Sequence, residues 1–89
     1  MIPLRVVWTN DALVQLAELW IEAADPVAFN SAVRSVDSAL SNSPESQGLS
    51  VAEGLRRLVR APIEVLYSVA ADRAIVEIAA VKPFRRDSD

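Results

Sequence analysis

Hydrophobic positions change period partway along the chain. Between Leu13 and Leu40 they recur at helical spacing, and from Leu55 onward they come in short β-branched runs broken by turn residues. Leu13, Leu16, Ala17, Trp20 and Ala24 stand at i, i+3, i+4, i+7 and i+11, which predicts a helix with one apolar stripe ending near Ala24. Leu19 and Ile21 fall off its centre, so this helix is apolar on more than one side, with Gln15, Glu18 and Glu22 on the wet face. Phe29, Val33, Val36 and Leu40 predict a second helix, with Asn30, Arg34, Asp37 and Ser41 turned outward. Thr9 or Asn10 can cap the first helix and Asp25, ahead of Pro26, the second. The short connection between them predicts an αα-hairpin, and Asn42-Ser43-Pro44 ends it.

Leu4 to Trp8 forms a short β-prone run, an edge strand because Pro3 lacks an N–H. After the hairpin, Glu45 to Glu53 reads as a polar loop anchored by Leu49 and Val51, and Gly54 opens a three-stranded meander. Ala61-Pro62 and Ala71-Asp72-Arg73 mark its two turns. Alternation assigns Val65, Tyr67, Val69, Val76, Ile78 and Ala80 to the core. Glu64, Ser68 and Glu77 fall on the second face, beside whichever of Arg56, Arg57 and Arg60 points there. The element order is β-α-α-β-β-β. It predicts a single α+β domain over residues 1–89, two layers deep, with the helical hairpin packed on a mainly antiparallel sheet. The first strand can pair elsewhere in that sheet, parallel to a later strand.

Composition narrows the chemistry. The 89 residues include no cysteine and no histidine, which excludes disulfides, Cys/His zinc sites and histidine acid–base catalysis; no cofactor is expected. Neither a charged leader with an apolar run nor a membrane-length apolar stretch is present, and the expectation is a cytoplasmic protein with no membrane partner. The hydrophobic fraction of 52% sits slightly above the usual ~45–50% and suggests a partner over some of the surface. Net charge is −3 but uneven. Residues 1–54 hold two arginines against seven carboxylates, whereas residues 55–89 hold seven cations against five. An anionic partner would be steered to the second half.

Arg56, Arg57 and Arg60 on the first meander strand are the leading recognition candidates, since guanidinium groups take phosphate or carboxylate in bidentate geometry. A solvated edge strand guarded by charge is the plainer reading. Lys82, Arg85 and Arg86 follow the last strand as a basic tail that can fold over a partner or simply fray. Tyr67 reads as a core tyrosine with its hydroxyl at the rim, and Trp8 and Trp20 as core or partner anchors. Glu64 and Glu77 read as cross-strand partners of neighbouring arginines rather than as an acid–base pair.

Several pieces together resemble the RelE/ParE toxin superfamily. They are Val7-Trp8-Thr9, Ala12 with Leu16, Pro44 to Gly48, Arg56-Arg57-Leu58, Val65-Leu66-Tyr67-Ser68-Val69, Val76 to Val81, and the closing Arg85-Arg86-Asp87. The resemblance spans nearly the whole chain. It implies the toxin of a bacterial toxin–antitoxin pair, neutralised by a small cognate antitoxin and able to form homo- or hetero-oligomers. RelE-like members cut mRNA on the ribosome without a metal, whereas ParE-like members poison DNA gyrase. The nucleases place an arginine three residues before the middle-strand tyrosine. Here that position is Glu64, whose charge opposes phosphate stabilisation. No tyrosine follows Tyr67, and Lys82 is the only lysine. The ParE-like reading therefore ranks ahead of a metal-independent endoribonuclease, and a degenerate interaction module of the same fold is the third alternative.

Overall fold

The fold was analysed in a computed structural model that describes residues 4–42 and 48–84. Pro44, Arg85 and Arg86 lie outside the described residues. The elements are β1 (Arg5–Trp8), α1 (Asn10–Ile21), α2 (Pro26–Asn42), β2 (Leu49–Ala52), β3 (Leu55–Arg60), β4 (Ile63–Ala70) and β5 (Ile75–Pro83). They build one five-stranded sheet in the order β1-β5-β4-β3-β2, with both helices on one face. The meander β3-β4-β5 is antiparallel, as expected, and β1 lies at one edge, parallel to β5.

Local chemistry explains the helix starts. The Thr9 hydroxyl accepts from the Ala12 amide (3.1 Å) and caps α1. Asp25 Oδ1 accepts from the Ala28 amide (3.1 Å) and caps α2. Each cap satisfies an amide that a helix leaves without an internal partner.

Two expectations about the sheet are corrected. Leu49–Ala52 is not an anchored loop but a strand, paired antiparallel with β3, and Leu49 (73% exposed) and Val51 stay in solvent. Four residues with one bulge show too little alternation to read as a strand, and it exists because β3 offers it an edge. The turn into β3 passes through Gly54 at φ 77°, a left-handed conformation that glycine adopts without steric cost. The second correction concerns β5, where Val81 rather than Ala80 is buried. Pairing slips between Leu66 and Tyr67, so that Leu66 faces Ala80 while Tyr67 faces Ile78. The extra residue, Ala79, reverses the in–out alternation beyond it.

The rotation of α1 also differs from the expected stripe. Ala12 is buried, and Leu16, Leu19 and Ala23 pack on the core, while Leu13 and Trp20 are about half exposed at 47% and 50%. The helix leaves β1 with only Thr9 between them, so its phase is set by the strand rather than by its largest side chains. Its end is earlier than expected, at Ile21. Gln15, expected in water, faces the sheet instead: its Oε1 accepts from the Val81 amide at 2.8 Å. Strand β1 stops opposite Ile78, leaving the next stretch of β5 without a strand on that side. Thr9 Oγ1, donating to the Ala79 carbonyl (3.4 Å), and Gln15 fill that edge. Gln15→Ala is expected to cost about 1–3 kcal/mol, nearer the lower figure because the bond is part-buried. Gln15→Glu, which keeps the acceptor, is expected to cost less; urea unfolding of the two variants checks the order.

The core between the layers comprises Phe29, Ala32, Val36 and Leu40 from α2, Ala12 from α1, and Leu58, Ile63, Val65, Tyr67, Val76, Ile78 and Val81 from the sheet. No polar or charged residue is buried among the described residues. Trp8 packs against this core and donates its indole N–H to Asp37 of α2 (3.2 Å). The end of α2 is clipped to the start of β1, where the Leu4 amide donates to the Ser41 carbonyl (3.0 Å).

Candidate functional site

Strand register separates the three arginines of β3. Arg56 pairs with Tyr67 and Arg60 with Ile63, both core-facing, so these two arginines lie on the helix side of the sheet. Arg57 pairs with Leu66 and lies on the open side. They do not form one cluster. Arg56 reaches back along the edge, its guanidinium donating to the Gly48 carbonyl at 2.6 Å. Arg60 donates to Ser35 Oγ on α2 (3.0 Å) and to the Val59 carbonyl (2.9 Å). Both are half-buried and tie β3 to the segments beside it.

Arg57 is tied as well. Its Nε lies 2.5 Å from Glu64 Oε2, with the two side chains 37% and 17% exposed. Glu64 stands directly across from Lys82 on β5. The open face therefore carries one carboxylate held by a guanidinium, with an exposed ammonium on the neighbouring strand. This is the cross-strand pairing expected of Glu64; Glu77, also on β5, is exposed and takes part in no ion pair found among the described residues. Around the pair the face is mixed, with Arg5, Ser68, Glu77 and Lys82 on it beside apolar side chains. Leu55, Val59, Leu66, Ile75 and Ala80 are all partly exposed there, and Leu49 of β2 extends it beyond Arg57.

The pair has a modest energetic role. An ion pair with this exposure contributes about 0.2–1 kcal/mol once solvent screening is included. A double-mutant cycle of Arg57→Ala and Glu64→Ala, followed by thermal unfolding, is expected to return a coupling energy within that range. A value well above it would mean that the pair is a structural clamp rather than a surface feature.

Tyr67 is fully buried, so its hydroxyl is not at a solvent-facing rim. It lies against Gly48, where a Cβ would overlap the phenol oxygen and come within 2.7 Å of the Arg57 carbonyl. This close approach gives a physical reason for glycine at the end of the Pro44 to Gly48 segment. A phenol enclosed in this way cannot stack on a base or reach a phosphate. Among the described residues no group of three histidines, cysteines or carboxylates is placed to hold a metal ion. No described helix is long and apolar enough to cross a membrane.

The αα-hairpin, expected from the sequence to help seat a partner, presents a second surface. Leu13, Ala17 and Trp20 of α1, with Asn30 and Val33 of α2, line an apolar groove of ≈ 490 Å³ on the outer side of the helix layer. Its sequence signal is the first helix, read as apolar on more than one side.

No protein-family model and no curated protein matches the chain. Solved structures do. The toxin–antitoxin complex RelBE2 of Mycobacterium tuberculosis superposes with a TM-score of 0.79 at 24% identity, over 98% of this chain and 97% of that one. The isolated E. coli RelE toxin gives 0.68 at 15% identity, over 96% and 88%. The chromosomal ParDE system of P. aeruginosa gives 0.67 at 18% identity, over 92% and 97%. At these identities the likeness is one of backbone architecture, and by it this chain has the RelE/ParE toxin fold.

Proposed function

We propose that this protein is the toxin of a type II toxin–antitoxin system, acting in the cytoplasm by binding a protein target rather than by cutting RNA, and held inactive by a cognate antitoxin. DNA gyrase is the target this reading favours. One observation carries it: the Arg57 guanidinium on the open sheet face is already engaged by the Glu64 carboxylate. Metal-independent phosphodiester cleavage requires a cation at the phosphate and a proton donor or acceptor beside it. Here the chain has no histidine, Tyr67 is enclosed, and Arg56 and Arg60 lie on the other side of the sheet. A guanidinium neutralised by a carboxylate, with exposed Glu77 on the same face, suits a protein surface better than a polyanion.

A RelE-like, ribosome-dependent mRNA endoribonuclease is the second reading, favoured by the higher TM-score to RelBE2 and by exposed Lys82. Lys82, with Arg85 and Arg86 beyond the described residues, would then contact the target alongside Arg57. Tightly induced expression in a bacterium, with soluble protein confirmed, separates the readings. Growth arrest with filamentation and a DNA-damage response, relieved by the neighbouring small reading frame, is expected. Fragmented messages would replace this reading with the nuclease. Undisturbed growth with abundant soluble protein would leave a non-toxic interaction module.

A further inference from the structure

A cavity of ≈ 520 Å³ opens where the α1–α2 connection, the β3–β4 turn at Ala61-Pro62 and the end of β5 meet. Leu19, Phe29 and Phe84 give it apolar walls, and its charged lining is Glu22 and Asp25, both exposed. Nothing nearby in the chain neutralises them. The sequence has no lysine or arginine between Arg5 and Arg34, and neither carboxylate is in an ion pair among the described residues. Phe84 brings the end of the sheet to this cavity. Its amide donates to the Pro62 carbonyl (2.8 Å), and it lines the cavity together with Phe29 of α2. Lys82, two residues earlier and across from Glu64, lies on the open side instead.

Arg85 and Arg86 are the next two residues of the sequence. Consecutive Cα atoms are about 3.8 Å apart, so both guanidiniums start beside a cavity that Phe84 already lines. Tethering at this distance gives them a high effective concentration there, which a cation on a separate molecule lacks. We propose that the Arg85-Arg86 segment seats at the mouth of this cavity, its guanidiniums taking the Glu22 and Asp25 carboxylates, and straps the end of the sheet to the helical hairpin. Asp87 and Asp89 follow and are repelled by the same carboxylates, so the strap stops at Arg86. The strap withdraws from the open face two cations that an RNA-cutting reading would place there. It holds whichever target the protein has.

The chain has no cysteine, so Ser88→Cys gives a nitroxide label one attachment point in the whole protein. Broadening of backbone amide signals by the label then reports where the segment lies. The amides of Ala23 and Ala28 are expected to broaden more than those of Ser68 and Glu77 on the open face. Glu22→Gln with Asp25→Asn removes both charges, and asparagine keeps the cap on α2. This double variant is expected to lower the broadening at Ala23 and Ala28 by about two-fold or more, the scale of two exposed ion pairs. Salt at about 1 M, where the Debye length is about 3 Å, is expected to do the same, and so is Arg85→Gln with Arg86→Gln, from the other side of the contact. Equal broadening at Ala23 and Ala28 with and without the Glu22 and Asp25 charges would overturn the proposal. So would broadening that is strongest over Ser68 and Glu77, because the arginines would then lie on the open face.

Discussion

Tyr67→Ala is expected to lower stability by about 3–5 kcal/mol, the range for emptying a buried aromatic site. Tyr67 is the largest fully buried side chain among the described residues and sits on β4, the central strand of the sheet. Val65 precedes it on the same face and Ile78 lies across from it on β5, at the bulge that sets which residues of β5 face inward. Removing the ring would open a cavity at the point where alternation on β5 is reset. A domain of this size has about 5–15 kcal/mol in total, so the variant would lose a large part of it. The melting temperature is expected to fall by about 12–40 °C, taking about 4–8 °C per kcal/mol. Thermal unfolding followed by circular dichroism checks it. A loss below 1 kcal/mol would mean that neighbouring side chains close over the site.

Gly48→Ala is the second large effect, at about 1–3 kcal/mol for overfilling a packed position. The added methyl meets the Tyr67 hydroxyl and, at 2.7 Å, the Arg57 carbonyl. Neither can retreat: the tyrosine ring is enclosed in the core, and the carbonyl belongs to a paired strand. The same displacement would disturb the bond from the Arg56 guanidinium to the Gly48 carbonyl. The origin of the cost is open to a direct check. In a Tyr67→Phe background the alanine loses the nearest of its obstacles, the hydroxyl, so the double variant is expected to be more stable than the sum of the single effects predicts. Strict additivity would assign the cost to the backbone carbonyl and the ring edge rather than to the hydroxyl. Gly54→Ala is the useful contrast, because nothing lies within 4 Å of a Cβ there and the strain comes from φ 77° by itself. It is expected to cost about 1–2 kcal/mol, the penalty of a left-handed conformation for a residue with a Cβ, and to be indifferent to Tyr67→Phe.

Which features were legible in the sequence follows from the range of the interactions that make them. Both helix caps, the αα-hairpin, the turns at Ala61-Pro62 and Ala71–Arg73, and the three meander strands could be read from Thr9, Asp25, Pro26 and the β-branched runs. These signals act within a few residues of where they are written. Glu64 could be read in the same way as the partner of a neighbouring arginine, because cross-strand neighbours follow once a hairpin and its register are known.

The corrections share the opposite property. The phase of α1 depends on how little chain separates it from β1, and Gln15 acquired a structural role only because β1 ends before β5 does. Val81 displaced Ala80 from the core because pairing slips by one residue at the bulge. Strand β2 exists because β3 has an edge to offer it. The arginines of β3, adjacent in sequence, were parted onto two faces, with Arg57 alone facing the open side against Glu64. The sequence by itself determined the elements, their order and the charge contrast between the two halves, since these arise from side chains acting on their own neighbourhood. Helix rotation, the bulge and the separation of the arginines were decided only by the tertiary structure, because each depends on where a distant strand begins, slips or ends.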